Sequence, residues 1–383
     1  MIVRRPAGLA LLAALPLLAT AACGGDAREP RSVEASAAGA RADTRLRDSI
    51  ERATFTPPAP TSPTPDADGQ VAAGAATVAQ PGADAAGASR GGAVSSAPRA
   101  AARPDPAMVR AQILLDRTRF SPGIVDGLSG TNTRQAIAAF EEANGLTVDG
   151  ELDATVFQQL SSGDSRPVLT DYTITAPDVA GPFIGTVPED IEAMARLETV
   201  GYSSAREAMA EKFHMSEDLL AALNPGVDFG RAGQTIVVAS TGPNELQGEV
   251  ARIVISKNEN SLRAFDADGK LLAFYPATIG SSDTPSPSGS HTVRAIAPAP
   301  NYTYDPSRVS YGDGDGKVVV PPGPNNPVGS VWIDLSRDTY GIHGTPDPAD
   351  IGKTASSGCV RLTNWDAEQL ATGVKPVVVV RFT

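Results

Sequence analysis

A long segment of this chain carries too little hydrophobic surface to form a core, and it confines the folded part to the C-terminal portion. From Asp26 to Pro106 the residues are mainly Ala, Gly, Pro, Ser and Thr with scattered charges. Between residues 57 and 106 there is no aromatic side chain, and the only larger aliphatic residues are valines. Such a segment buries too little apolar area to offset its ordering entropy. We therefore expect residues 24–106 to be a disordered linker.

Charge and cysteine content exclude two classes of protein. The chain has 44 acidic against 32 basic residues, and its formal net charge is -12. A nucleic-acid-binding protein normally carries a basic face, so we expect no nucleic-acid partner. The two cysteines, Cys23 and Cys359, are too few for the disulfide framework of a small secreted scaffold.

The N-terminus has the pattern of an export signal. Arg4 and Arg5 precede a short apolar run, Leu9–Ala19, which is too short to span a bilayer. Small residues then lead to Cys23, so residues 1–23 resemble a bacterial lipoprotein signal peptide in which that cysteine is the lipidation site. The resemblance implies a protein of the cell envelope, in the periplasm, that is anchored by lipid to the outer membrane. Cleavage at a neighbouring small residue, without lipid, is the alternative.

Residues 107–163 show helical periodicity interrupted by glycine-rich turns. Val109 and Ile113 are spaced as on one face of a helix, Thr133–Asn144 is followed by a glycine, and Asp153 is placed to cap a third helix. A Val-Asp-Gly loop and the run Ala-Phe-Glu-Glu-Ala-Asn-Gly-Leu resemble the three-helix peptidoglycan-binding domain of bacterial wall enzymes. The resemblance implies peptidoglycan as a partner, and a generic helical bundle is the alternative.

The next segment, residues 170–240, has a weaker pattern. Ala205–Phe213 and Glu217–Leu223 are predicted as short helices, and Gly233–Val238 is predicted to contain a strand. These residues resemble the second half of an α+β LysM-like module that binds glycan, with Tyr172–Thr175 as its first strand. A spacer domain without affinity for glycan is the alternative.

Residues 249–383 are predicted to form a mostly-β domain with one or two helices. Short apolar runs alternate with turns, and the Asp-Gly pair at 268–269 is a strong hairpin signal. The chain ends in Pro376–Phe382, which we expect to contain a buried strand. A helix is predicted at Asn364–Ala371, with its N-cap at Asn364 or at the preceding threonine.

A cysteine and a histidine in this last domain are the best candidates for catalysis. With Cys23 assigned to signal processing, Cys359 is the remaining thiol, and His343 lies 16 residues before it. A thiolate is the attacking species, and a neighbouring imidazole can take its proton and return it to a leaving amine. The backbone N–H groups of Ser357, Gly358 and Cys359 are candidate donors to an oxyanion beside this nucleophile.

Two other roles for this thiol stay open at the level of sequence. A buried structural cysteine is the ordinary role of a lone thiol, although Ser, Gly and Arg neighbours are unusual in a core. A zinc site would need His343, Cys359 and a carboxylate, without the paired ligand spacing of known zinc sites. We expect no metal and no organic cofactor. The other two histidines, His214 and His291, are expected to have packing or surface roles.

Motifs around these two residues indicate a family. The motif Ile-His-Gly-Thr, the run Ser-Ser-Gly-Cys-Val-Arg-Leu and an upstream Pro-Ser-Gly segment resemble the YkuD-type L,D-transpeptidase catalytic domain. The resemblance implies that Cys359 is the nucleophile and that His343 is the general base and acid. It also implies that Ser356 helps to orient this pair, and that Gly344 holds the imidazole through its backbone carbonyl.

The same resemblance assigns substrate binding to Arg361, Thr345 and Tyr340. Arg361 follows a Cys-hydrophobic pair, as in Gram-negative members, and a guanidinium suits a substrate carboxylate. Ser357 departs from the family, because many members have His directly before Gly-Cys. That position contributes mainly its backbone N–H, so we expect activity to persist, with an altered thiol pKa.

Together these features predict a multidomain fold: a disordered linker, a small three-helix domain, an α+β module and a mostly-β catalytic domain. The resemblance implies a peptidoglycan L,D-transpeptidase whose thiolate attacks the diaminopimelate carbonyl of a stem tetrapeptide and releases D-Ala. The implied partners are stem peptides and glycan, and the acyl acceptor is another diaminopimelate, the Lys of an outer-membrane lipoprotein or a free D-amino acid. An L,D-carboxypeptidase that uses water, and a non-catalytic peptidoglycan-anchoring lipoprotein, are the alternatives.

Overall fold

The computed structural model describes residues 44–55, 103–281, 284–308 and 316–383. The expected signal peptide with its Cys23, and most of the expected linker, lie outside these residues. None of the helices in the described ranges is long and apolar enough to cross a membrane. The described residues form two buried hydrophobic cores, one mainly within residues 44–240 and the other within residues 246–382.

Residues 44–51 form a helix, α1, although the composition places them in the disordered linker. The prediction of disorder is wrong for this segment, because its apolar face completes the first core: Ile50 is fully buried there. The Glu51 carboxylate accepts hydrogen bonds from the backbone N–H groups of Val168 and Leu169, at 3.2 and 2.7 Å. These partners are distant in sequence, so local composition does not indicate them.

Three helices follow and form the first domain. The Asp105 carboxylate caps the first helix by accepting from the N–H groups of Ala107 and Met108, and Asp153 caps the third helix by accepting from Val156. The second helix ends at a glycine in the left-handed conformation. The helices are α2 (Pro106–Arg117), α3 (Thr131–Asn144) and α4 (Ala154–Gly163).

The second module has the order strand, helix, helix, strand around a two-stranded antiparallel sheet. Its register pairs Leu169 with Ala239 and Thr173 with Thr235. Two short helices lie in the connection between the first strand and the main helices. The elements are β1 (Leu169–Thr173), α5 (Ala176–Val179), α6 (Ile191–Ala195), α7 (Ala205–Lys212), α8 (Glu217–Leu223) and β2 (Thr235–Ala239).

The third domain is built on an eight-stranded sheet with the order β11-β10-β9-β6-β12-β3-β4-β5, and a separate two-stranded sheet pairs β7 with β8. One helix, α9 (Asn364–Gly373), precedes the last strand, and the side chain of Thr363 caps it. The strands are β3 (Arg252–Ser256), β4 (Ser261–Phe265), β5 (Leu271–Pro276), β6 (Gly289–Pro298), β7 (Tyr302–Tyr304), β8 (Val318–Val320), β9 (Val331–Leu335), β10 (Gly341–His343), β11 (Val360–Arg361) and β12 (Val379–Phe382).

The first domain is joined to the third through a strand edge. The backbone N–H of Ser121 donates to Phe274 O, and the N–H of Phe274 donates to Arg119 O, both at 2.9 Å. The Phe274 side chain is fully buried and belongs to the core of the first two domains, although it lies on β5. The domains are therefore packed together within the described residues.

Candidate active site

Two neighbouring parallel strands bring together the histidine and the cysteine that the sequence singles out. The register of β10 and β11 pairs Ile342 with Val360 and His343 with Arg361. Cys359 immediately precedes β11, so this pairing brings the thiol to the strand that carries the imidazole. Parallel pairing requires a long crossover connection, which explains the sequence separation of the two residues.

The imidazole of His343 is held on its edge and on its face. It is buried, and its Nδ1 lies 2.7 Å from the carbonyl oxygen of Gly344. The indole of Trp332 stacks on the ring, because β9 and β10 pair these two residues directly across the sheet. Because a carbonyl can only accept a hydrogen bond, Nδ1 carries the proton and donates it, which leaves the lone pair on Nε2 for acid–base chemistry.

Burial keeps the imidazole and the thiol in their neutral forms. Burial lowers the pKa of His343 to about 4, and the charge of Arg361 acts in the same direction, against the hydrogen bond to Gly344. Burial also raises the pKa of the Cys359 thiol, although the Gly341 backbone and Arg361 oppose this shift. The thiol Sγ lies 3.6 Å from Thr339 O. The resting pair is therefore a neutral thiol and a neutral base.

The loop before Cys359 depends on a glycine. Gly358 has a φ of +110°, and a Cβ there would lie 2.8 Å from Cε1 of Tyr340. The Gly358 N–H, expected among the donors to an oxyanion, instead donates to Ser356 Oγ at 3.1 Å. Ser356 is buried, and its hydroxyl donates to the Cys359 carbonyl oxygen. The hydroxyl of Ser356 thus bridges the backbone on both sides of this turn, and it occupies the Gly358 N–H, one of the three predicted donors to the oxyanion.

The upstream segment that contains Pro-Ser-Gly, residues 284–289, forms hydrogen bonds with this loop. The hydroxyl of Ser286 donates to Gly358 O at 2.7 Å and accepts from the Gly280 N–H at 3.0 Å. The hydroxyl of Thr284 donates to Ser356 O at 2.9 Å. The sequence resemblance located this segment, but only the structure shows that its hydroxyl groups hold the backbone on either side of Ser357.

The three residues predicted to bind substrate have different environments. Arg361 is partly exposed, and within the described residues its side chain makes no ion pair. The Tyr340 ring packs beside Gly358, with the guanidinium of Arg337 5.2 Å from its centroid. Thr345 is buried, and its hydroxyl accepts from the Asp347 N–H.

Other residues of the site were not predicted from the sequence. Trp332 has no motif around it, and its position in an alternating apolar strand indicates only partial burial. Thr339 and Gly341 contact the thiol through their backbones, which no side-chain pattern indicates. In the described part of the chain, no group of three or more His, Cys, Asp or Glu side chains is arranged to hold a metal ion.

Comparisons with known proteins match two parts of the chain. Residues 250–380 match the YkuD family, described as an L,D-transpeptidase catalytic domain, and residues 104–160 match a family described as "Putative peptidoglycan binding domain". The "Putative L,D-transpeptidase YkuD" of Bacillus licheniformis is 31% identical over 169 residues, which are 43% of this chain and 86% of that protein. The protein of the same name from Bacillus subtilis is 29% identical over 167 residues, 43% of this chain and 85% of that protein.

A Gram-negative relative matches a longer part of the chain. The "Probable L,D-transpeptidase ErfK/SrfK" of Escherichia coli is 30% identical over 219 residues, which are 55% of this chain and 62% of that protein. The matched length exceeds that of the catalytic domain alone, so the similarity extends into the residues that precede it.

Proposed function

Because this chain belongs to the YkuD family of L,D-transpeptidases, we propose that it transfers the acyl group of a peptidoglycan stem peptide through a thioester on Cys359. The observation that carries this proposal is the parallel pairing of β10 and β11, which places His343 beside the cysteine loop and opposite Arg361. The proposed substrate is a stem tetrapeptide, and the scissile bond joins diaminopimelate to the terminal D-Ala.

The first step forms the thioester. His343 donates Nδ1–H to Gly344 O, so Nε2 takes the proton of the Cys359 thiol as the sulfur attacks the diaminopimelate carbonyl. The backbone amides of Ser357 and Cys359 are the proposed donors to the oxyanion, since the Gly358 amide is engaged by Ser356. The carbon–nitrogen bond then breaks, and the imidazolium returns its proton to the amine of the departing D-Ala.

The second step releases the acyl group to an acceptor. An amine attacks the thioester, His343 removes the proton from that amine, and the proton returns to the Cys359 sulfur as the carbon–sulfur bond breaks. The proposed acceptors are the side-chain amine of a second diaminopimelate, the Lys of an outer-membrane lipoprotein and a free D-amino acid. Water in the same position would give a tripeptide, which is the carboxypeptidase reaction.

Arg361 is the proposed anchor for a substrate carboxylate. Its charge is close enough to His343 and Cys359 to lower both pKa values. It also interacts with Asp347, but it forms no ion pair within the described residues. A guanidinium binds a carboxylate through two parallel hydrogen bonds, which orients the substrate as well as attracting it. The overall acidic charge gives no general attraction for an acidic polymer, so local capture of this kind is needed.

The remaining parts of the chain are proposed to hold the enzyme at the cell wall. The peptidoglycan-binding domain and a LysM-like role for residues 170–240 would raise the effective concentration of stem peptides at the site. Lipid on Cys23 would place the protein in the periplasm at the outer membrane, with the residues between Cys23 and α1 as a tether.

Mass spectrometry of the reaction products tests the proposed activity. Residues 44–383, which retain α1, are incubated with a disaccharide-tetrapeptide, with and without an added D-amino acid, and the Cys359→Ala variant is treated in parallel. Loss of D-Ala with a dimeric or amine-exchanged product, absent in the variant, is expected. Tripeptide as the sole product would identify a carboxypeptidase. No turnover by a folded protein that still binds wall sacculi would overturn the enzymatic proposal and leave a wall anchor.

A further inference from the structure

Several hydrogen bonds join the second module to the catalytic domain, and one of them is made by the buried side chain of Glu211. Glu211 lies on α7 of that module, and its Oε2 accepts from Nδ2 of Asn364, the first residue of α9, at 3.0 Å. Both side chains are buried, with exposed fractions of 6% and 3%. The bond therefore joins the two domains away from water.

Asn364 in turn supports the backbone of the candidate active site. Its Oδ1 accepts from the Ser330 N–H at 3.1 Å, and its Nδ2 also donates to Pro324 O at 3.1 Å. A Cβ added to Gly344 would lie only 2.2 Å from Asn364 Oδ1, and a Cβ added to Gly329 would be equally close. The amide of Asn364 is thus wedged between two glycine backbones, and one of these carries the carbonyl that holds His343.

These contacts form a continuous series from the module to the proposed base. We propose that Glu211 is a positioning residue for catalysis: it fixes Asn364, which sets the Gly344 carbonyl, which orients the imidazole of His343. The second module is then a structural part of the active site, in addition to any role in binding glycan. This inference rests on the proposed function, because it assigns its effect to the acid–base role of His343.

The surroundings of Glu211 favour a neutral carboxyl. Burial raises the pKa of Glu211 to about 8, and the nearby carboxylates of Glu207 on α7 and Glu368 on α9 act in the same direction. The hydrogen bonds from Asn364 and from Tyr202, in the connection before α7, oppose them. At neutral pH the group is an uncharged acceptor of fixed shape, so glutamine is its closest substitute.

A buried hydrogen bond from the first domain to the same helix provides a matched control. The hydroxyl of Ser121, in the first domain, donates to Asp366 Oδ2 at 2.9 Å, and this bond is also buried. Asp366 lies in the first turn of α9, as Asn364 does, but the Ser121 side chain makes no hydrogen bond to Asn364 or Gly344 in the described residues. Ser121→Ala therefore removes an interdomain bond to this helix without removing the support of the imidazole.

The test compares four variants of the chain from residue 44 onward: Glu211→Gln, Glu211→Leu, Glu211→Asp and Ser121→Ala. The measured quantities are kcat and KM for D-Ala release, the pH profile of Cys359 alkylation by iodoacetamide and the temperature of unfolding. We expect Glu211→Leu to lower kcat about tenfold to a hundredfold with little change in KM, since small displacements of a catalytic group have effects of this size. Glu211→Gln should keep kcat within about twofold of the wild-type value, because glutamine still accepts the hydrogen bond and the loss expected from displacement is much larger.

The control and the shortened variant separate positioning from stability. Ser121→Ala should leave kcat near the wild-type value even where it lowers the unfolding temperature as much as Glu211→Leu does. Glu211→Asp keeps a carboxyl group but moves it away from Asn364, so this variant should also lose activity. It tests the positioning role of Glu211 if Glu211→Leu does not fold. Equal losses of kcat in Ser121→Ala and the Glu211 variants, or full kcat in both Glu211→Leu and Glu211→Asp, would overturn the inference.

Failure of the proposed function has a different signature. It appears as absence of D-Ala release by the wild-type chain itself. In that event alkylation of Cys359 still reports the inference, because loss of imidazole orientation lowers the rate in Glu211→Leu or Glu211→Asp but not in Ser121→Ala. Identical alkylation profiles in all five proteins would then count against the inference.

Discussion

The ring centroids of Trp332 and His343 lie 5.4 Å apart with their planes inclined by 22°, so the indole covers one face of the proposed catalytic base. This stacking contributes to the burial of the imidazole. Burial disfavours the charged form of a histidine, which explains the direction of its pKa shift. Trp332 therefore contributes to the buried environment that keeps this base neutral.

The first prediction concerns the pH dependence of D-Ala release. Since burial lowers the pKa of His343 to about 4, the base stays neutral at all higher pH values and is lost only as the pH falls through about 4. We expect kcat/KM to be flat between about pH 5 and 7 and to be half lost near pH 4, one unit below that range. Circular dichroism at pH 4 checks that the protein remains folded. An acid limb near pH 6.5, the ordinary value for histidine, would contradict the buried geometry.

The second prediction concerns Gly358→Ala. A side chain there meets the Tyr340 ring and also requires the left-handed backbone region, so the loop that carries Cys359 must shift. We expect activity to fall by about a hundredfold, as for a catalytic group displaced by about 1 Å. Gly269→Ala is the matched control, because Gly269 also has a positive φ with open space around it and lies in the hairpin at 268–269. The prediction is wrong if both variants lose activity to the same extent.

The sequence alone was sufficient to predict those elements whose structure is set by residues close to them in the chain. The helix at 217–223, the hairpin at 268–269 and the helix after Thr363 follow from local turns and caps, and the structure has all three. The contacts of Glu211 and Trp332 were not predictable in this way. The contact of Trp332 with His343 depends on the register between β9 and β10, and the contact of Glu211 depends on a helix that meets another domain. Periodicity indicates that such side chains are buried, but not which residue each one meets.

The third prediction concerns the proposed carboxylate anchor. Arg361→Gln removes a charge that forms no ion pair within the described residues, so the loss should appear in substrate binding. We expect KM to rise by about tenfold to a hundredfold, the range of one charged hydrogen bond. Because Arg361 also lowers the pKa of His343, the acid limb should move to higher pH.

Arg381→Gln, on an exposed position of β12, is the control for a change in net charge alone. It should leave both KM and the acid limb unchanged. An Arg361→Gln variant with wild-type KM would exclude the anchoring role.

The fourth prediction concerns α1, which the composition assigned to the linker. Ile50 is fully buried against the first core, so Ile50→Ala should lower the free energy of unfolding by about 3 kcal/mol, as for other buried Ile-to-Ala changes. Urea unfolding of the chain from residue 44 onward measures this. Thr54→Ala, at an exposed position, should have no effect. Unchanged stability in Ile50→Ala would mean that α1 is not docked in solution.

The last prediction uses the ionisation of Glu211 to examine stability. Its pKa is about 8 in the folded protein and near the ordinary value of 4.5 in the unfolded chain. Between these values the folded state holds a proton that the unfolded state has released, so stability falls as the pH rises, by at most about 1.4 kcal/mol per pH unit. Glu211→Gln has no such proton. Its unfolding free energy should equal that of wild type near pH 4.5 and exceed it by a growing margin up to pH 8, beyond which the margin stays constant. Parallel profiles for the two proteins, measured by urea unfolding across this range, would show that the carboxyl is ionised and solvated, and that the contact with Asn364 is not formed in a buried site.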